Sequence, residues 1–281
     1  MTGTPSAPPA APPPGAPGAP EPFRRRFAPP DPLPPLTFRE KLRAVWRGGV
    51  ILIVTALLIP VYLLARLLPG RQPDRWVAGL WGRILVRLVG VRLEIVGAPM
   101  KEPGALVANH VSWIDILALA AAAPAHFVSK SEVAHWPVVG FIARIADAEF
   151  IERRPAQARE HEARLARRIR EGDLLCFFPE GTSSDGLVVL PFKTTLFAIF
   201  QATKAKAQPV SLKYTPPEHL PRRFYGYYDD LSFGDSAGAV LARSRGGRLT
   251  VTFHPPVDPA EIPDRKRMAA FCEAQVRSAA L

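Results

Sequence analysis

The stretch "NHVSWID", residues 109 to 115, carries a histidine and an aspartate with four residues between them at the end of an apolar run. If the chain turns there, the Asp115 carboxylate can fold back on His110, fix its tautomer through one ring nitrogen and stabilise the imidazolium. The other nitrogen is then left to take a proton, which is the arrangement of a general base. The competing reading is a helix start, with Asn109 or Ser112 as the cap and Asp115 complementing the dipole. By itself the spacing serves both readings equally.

Other stretches bear on the choice. "FPEGTSSDG", residues 178 to 186, presents Glu180, Gly181 and Thr182 in a glycine turn, where a carboxylate could meet an acceptor's polar group or support the histidine, or simply sit in a loop. "FIERR" ends in Arg153 and Arg154, whose guanidinium forks suit a phosphate or carboxylate, although a solvated pair has the same appearance. Lys130 in "HFVSK" and Lys193 in "LPFK" carry the same ambiguity. Cys176 and Cys272 have no metal or disulfide spacing and read as reduced packing residues. A serine hydrolase is the weaker alternative reading.

These residues need a scaffold, and the pattern around them is one of alternating strands and helices. "VRLEIVG", "GALVANH", "AHFVSK", "AEFIERR", "DLLCFFPEG", "AQPVSLKY" and "RLTVTFHPPV" read as strands. "WIDILALAAA", Pro155 to Glu171 and "KTTLFAIFQAT" read as helices. The expectation is an α/β domain over residues 90–281, a central mixed sheet flanked by helices, with chemistry where strands end in loops.

The first part of the chain differs. Residues 1–38 are dominated by Pro, Ala and Gly and read as a disordered tail without a secretory signal. Residues 39–89 hold the apolar run Val50 to Leu68, interrupted by Pro60, and then "RWVAGLWGRILVRLVG". Spanning a bilayer takes roughly 20 apolar residues, so the run is short and a kinked or re-entrant helix is as open as a span. The second segment reads as an interfacial helix, with Arg75, Gly79, Arg83 and Arg87 on one stripe and its tryptophans at headgroup depth. Lys+Arg number 36 against 25 Asp+Glu, a formal charge of +11, so the partners should be anionic. Without a basic patch interleaved with aromatics, nucleic acid is not needed to explain that charge.

In this order, "NHVSWID", "FIERR", "FPEGT" and "QPVSLKY" resemble the blocks of the glycerolipid and lysophospholipid acyltransferase family, whose best-known members act on 1-acylglycerol-3-phosphate. The resemblance runs from about Leu42 to about Val257 and includes "SKSEVAHWPVVG". It implies acyl transfer at a membrane surface from acyl-acyl carrier protein or acyl-CoA, with no cofactor or metal. It further implies a two-helix membrane element and a catalytic domain on the cytoplasmic side of the inner membrane. His110 would be the base, Asp115 its orienting partner, and Arg153, Lys130, Glu180, Gly181 and Thr182 the acceptor site. Where the phosphate-acceptor members carry arginine after the threonine of "FPEGT", this chain has Ser183, and "TSSDG" with "YYDDLSF" looks more like the bacterial branch acylating lyso-ornithine lipid. For that acceptor Asp185, Asp229 or Asp230 could meet the ammonium group. The reading from another class is a non-catalytic lipid-binding protein that keeps the fold.

Overall fold

The computed structural model describes residues 27–68, 73–136, 138–151 and 157–281. Arg153 and Arg154, like the proline-rich residues 1–26, lie outside the described residues.

Seven strands form one sheet in the order β1-β7-β6-β2-β5-β3-β4. They are β1 Val91–Val96, β2 Gly104–Ala108, β3 His126–Lys130, β4 Glu149–Ile151, β5 Leu174–Phe177, β6 Lys206–Thr215 and β7 Gly247–Phe253. All neighbouring pairs are parallel except β6 with β7. The mixed sheet and its flanking helices therefore match the expectation. The central strands are apolar on both faces, as a parallel sheet covered on both sides requires. Leu106, Ala108 and Cys176 pack on one side with α2 (Pro73–Leu88) and α3 (Ile114–Ala122). Ala105, Val107, Leu175 and Phe177 pack on the other side with α5 (Ala158–Arg170), α6 (Ala198–Thr203) and α8 (Arg265–Ala280). Both cysteines are buried and unpaired.

Some elements differ from the reading of the sequence. The helix expected over "KTTLFAIFQAT" shrinks to Ala198–Thr203, because Lys193 is tied back to the Pro179 carbonyl and the following residues enter through tight turns. Two further helices, α4 (Val139–Ile145) and α7 (Phe233–Arg243), occupy stretches not read as helical. The apolar run is part of α1 (Phe38–Ala65), whose start is a capping box: Thr37 accepts from the Glu40 amide and Glu40 accepts from the Thr37 amide. Residues 27–37, without regular secondary structure, lead into α1, with Phe27 against the Tyr228 ring at 5.3 Å.

The basic stripe assigned to α2 is also corrected. Arg83 and Arg87 face outward, but Arg75 and Gly79 are buried. A Cβ at Gly82 would lie 2.5 Å from the Leu117 carbonyl, so small residues let α2 approach the backbone of α3. Arg75 instead reaches the Ala146 carbonyl after α4.

Candidate active site

The strands β2, β5, β3 and β4 run in the same direction, so the segments following them gather at one edge of the sheet. Open α/β sheets bind their ligands at this edge. His110 follows β2, Glu180 follows β5, and Lys130 ends β3 beside Ile151 of β4.

Asp115 sits in the first turn of α3 and is fully buried. Its Oδ2 accepts from the Val111 and Ser112 amides at 2.7 and 2.9 Å and lies 2.8 Å from His110 Nδ1. The cap reading and the histidine-partner reading thus describe one carboxylate. It ties down the helix entry and, with the same oxygen, the imidazole. Asn109 and Ser112 cap little: the Asn109 amide pairs with both backbone groups of Leu212, and Ser112 Oγ lies a long 3.4 Å from the Ile114 amide.

The His110 ring stacks on Phe178, with centroids 4.1 Å apart and planes tilted by 20°. Its side chain is 22% exposed, and among the described residues Nε2 has no hydrogen-bond partner. Nδ1 facing a carboxylate carries the proton, so Nε2 is left with a lone pair facing outward.

Glu180 is buried, and both its oxygens are used. Oε1 accepts from the His110 amide at 2.6 Å and Oε2 from the Leu190 amide at 2.7 Å. Burial, opposed in part by these two donors, pushes its carboxyl up to about 8. Glu180 therefore holds the histidine's backbone to the turn after β5, the supporting role that the sequence left open. Gly181 adopts a φ of 72°, a left-handed conformation in which a side chain would be strained, and its amide returns to the Phe178 carbonyl. Thr182 is partly exposed in the same turn.

The turn is fastened to its surroundings. The Ser184 amide donates to the His110 carbonyl at 2.8 Å, and the Ser183 hydroxyl donates to the Tyr227 carbonyl. The Tyr227 amide in turn donates to the Val111 carbonyl. Asp185 is buried against Arg223 at 2.9 Å and the Leu187 amide, whereas Asp229 and Asp230 are exposed. Partly exposed Trp113, Trp136 and Tyr227 surround Phe233 at ring distances of 5.7 to 6.4 Å.

One participant was missed in the sequence. Tyr214, the last residue of "QPVSLKY", donates its phenolic hydrogen to Asp115 Oδ1 at 2.5 Å. The stretch was read only as a framework strand. Its signal was the period-two series Val210, Leu212, Tyr214, which carries a polar tip out of the core face.

A histidine with one committed and one open nitrogen, set at the carboxyl edge of a mostly parallel sheet, has the chemistry to accept a proton from a group placed beside it. An acyltransferase family model matches residues 92–213, the segment that runs from β1 into β6 and holds His110, Asp115, Lys130, Glu180, Gly181 and Thr182. The lyso-ornithine lipid O-acyltransferase of Rhodobacter capsulatus is 44% identical, over 89% of this chain and 94% of its own. The protein of that name from Brucella abortus is 35% identical over 79% of this chain and 87% of its own. A 1-acyl-sn-glycerol-3-phosphate acyltransferase of Neisseria meningitidis is 33% identical over 70% and 78%. In fold, the chain is similar to the crystal structure of the 1-acyl-sn-glycerophosphate acyltransferase of Thermotoga maritima. That match has a TM-score of 0.63 at 22% identity and covers 86% of this chain and 96% of that one. The chain belongs to the acyltransferase family.

Proposed function

We propose that this acyltransferase moves a fatty acyl group from acyl-acyl carrier protein or acyl-CoA to the hydroxyl of lyso-ornithine lipid at a membrane surface. The observation that carries the reading is the open Nε2 of His110 opposite an Nδ1 bound to Asp115. In the proposed step, Nε2 takes the proton of the acceptor hydroxyl as its oxygen attacks the thioester carbonyl. The tetrahedral intermediate collapses with departure of the thiolate, which recovers the proton from the imidazolium. Asp115 stays ionised throughout and stabilises the transient cation. Lys130, which ends β3, and Arg153 are assigned to the acceptor headgroup, with Gly181 and Thr182 shaping the mouth.

Lyso-ornithine lipid is preferred over 1-acylglycerol-3-phosphate for two reasons. The more similar relatives carry that substrate in their names. The position after Thr182 holds a serine whose hydroxyl is committed to a backbone carbonyl, so it offers no guanidinium to a phosphate.

The membrane reading rests on α1. By length and composition it is long and apolar enough to cross a bilayer. Yet one side of it is occupied: Arg43 and Arg47 reach the last carbonyls of α7, and Thr55, Tyr62 and Ala65 are buried where α1 meets α2. The opposite side exposes Phe38, Leu42, Trp46, Ile53, Leu57 and Leu64, continued by Trp76 of α2. A helix packed along one face and apolar along the other supports insertion into a single leaflet, lying along the surface. Each such side chain contributes about 2 kcal/mol when it leaves water, so this row can hold the domain at the bilayer. Both candidate donors are cytoplasmic thioesters, which favours the cytoplasmic face of the inner membrane.

The test supplies purified protein in vesicles with acyl-acyl carrier protein or acyl-CoA and, side by side, the two lyso-lipids, and weighs the products by mass spectrometry. Diacylated ornithine lipid is expected. Exclusive formation of phosphatidic acid would replace the acceptor, and no product from either lipid would favour a lipid-binding protein without turnover.

A further inference from the structure

β6 runs beyond the strand it flanks. Its last partner on β2 is Ala108, opposite Val210, and β6 continues to Thr215. Alternate residues Val210 and Leu212 enter the core between the sheet and α2 and α3, and Tyr214, next in the series, reaches over the start of α3. There its hydroxyl is 2.5 Å from Asp115 Oδ1.

The two oxygens of Asp115 are loaded unequally. Oδ2 serves His110 and the Val111 and Ser112 amides, while Oδ1 meets Tyr214. A carboxylate turns as one rigid plane about Cβ–Cγ, so a short bond on Oδ1 adds a second restraint, on the opposite oxygen, to the rotation that the contacts on Oδ2 already limit. A donor on Oδ1 also draws negative charge away from the oxygen that faces the imidazole. The ring itself is held by Tyr225, whose centroid is 5.2 Å away and whose hydroxyl meets Ser244 Oγ at 2.8 Å.

We propose that Tyr214 is a positioning residue that sets the orientation of the Asp115 carboxylate and, through it, the basicity of His110. This rests on the reading of His110 as the base. Burial and the neighbouring Asp115 charge raise the phenol well above its usual range, so it remains a donor at every pH at which the reaction would be assayed. In its absence Asp115 keeps three donors and stays ionised, and its undivided charge stabilises the imidazolium more strongly.

The experiment uses full-length protein in vesicles with acyl-acyl carrier protein and whichever of the two lyso-lipids it turns over, from about pH 5.5 to about 9.5. Tyr214→Phe should lower kcat by about 5- to 50-fold with KM within about twofold, and move the acid limb of kcat/KM up by about half a unit to one unit. Because the phenylalanine variant could fold poorly, 3,5-difluorotyrosine is also placed at position 214. It is a stronger donor of the same shape, and should move the acid limb down. Parent-like kcat and pH profile in both variants would overturn the proposal. So would a fall in kcat with an unmoved acid limb in both, which would mark a purely structural role. His110→Ala separates the two levels: turnover there removes the base and this proposal together, whereas a dead His110→Ala beside an indifferent Tyr214 pair removes this proposal alone.

Discussion

Two histidines of this fold sit beside aspartates at opposite ends of the sheet. At the carboxyl edge, His110 gives one ring nitrogen to Asp115 and keeps the other open. At the amino edge, His126 is buried at the start of β3 and uses both: Nδ1 faces the Arg168 guanidinium at 2.7 Å and Nε2 faces Asp173 at 3.4 Å. Arg168 is itself held by Asp147, Asp173 and Glu149. An arginine can only donate, so Nδ1 of His126 must be the acceptor and the ring neutral. Burial first, then the charges of Arg75 and Arg168, push His126 down to about 4. A nearby carboxylate therefore does not make a histidine a base. The distinguishing feature is a second nitrogen that can reach a substrate. The amino-edge cluster instead joins α5 to the starts of β3, β4 and β5, and Arg75 brings α2 to the same corner.

This contrast orders the expected effects of substitution. Among the groups that support His110, Asp115→Asn should cost most, about a hundred- to a thousandfold in kcat, because an amide cannot orient and stabilise the imidazolium as a carboxylate does. Steady-state kinetics against circular dichroism would separate this from unfolding. Glu180→Gln comes next, with about a 10- to 100-fold loss and a lower thermal midpoint, since one of its two amide donors would then face an NH2 group. Parent-like kinetics in that variant would remove Glu180 from the account of the site. The smallest effect on turnover is expected at the other end. His126→Gln should keep kcat within about threefold at neutral pH and change the pH dependence of stability instead. The folded protein binds fewer protons at His126 than the unfolded chain between its usual 6.5 and about 4, so its contribution to stability is present above that window and is lost as pH falls through it. Denaturant midpoints should therefore fall less steeply on acidification in the variant than in the parent.

Much of this was legible in residue types and order. The strands were marked by apolar runs ending in turns, and their alternation with helices implied a sheet whose edge would gather "NHVSWID", "FPEGT" and the end of "HFVSK". Side-chain direction was not legible. Glu180 could have faced an acceptor, and nothing local revealed that the backbone amides of His110 and Leu190 would occupy both of its oxygens. Tyr214 stayed hidden because its partner is 99 residues away and the contact depends on how far β6 extends past β2. Arg75 and Gly79 were placed on an outer stripe by helical periodicity, which cannot foresee that α3 covers that side. The capping box at Thr37 and Glu40 was readable, and was obscured by the proline-rich composition just before it.

The central claim is that the open nitrogen of His110 takes the acceptor's proton. It is tested most directly by His110→Ala in the full-length protein, measured as diacyl lipid formed per enzyme by mass spectrometry alongside vesicle binding and thermal midpoint. The account predicts turnover reduced by about a thousandfold or more, with binding and midpoint close to the parent. Turnover within about tenfold of the parent would contradict it.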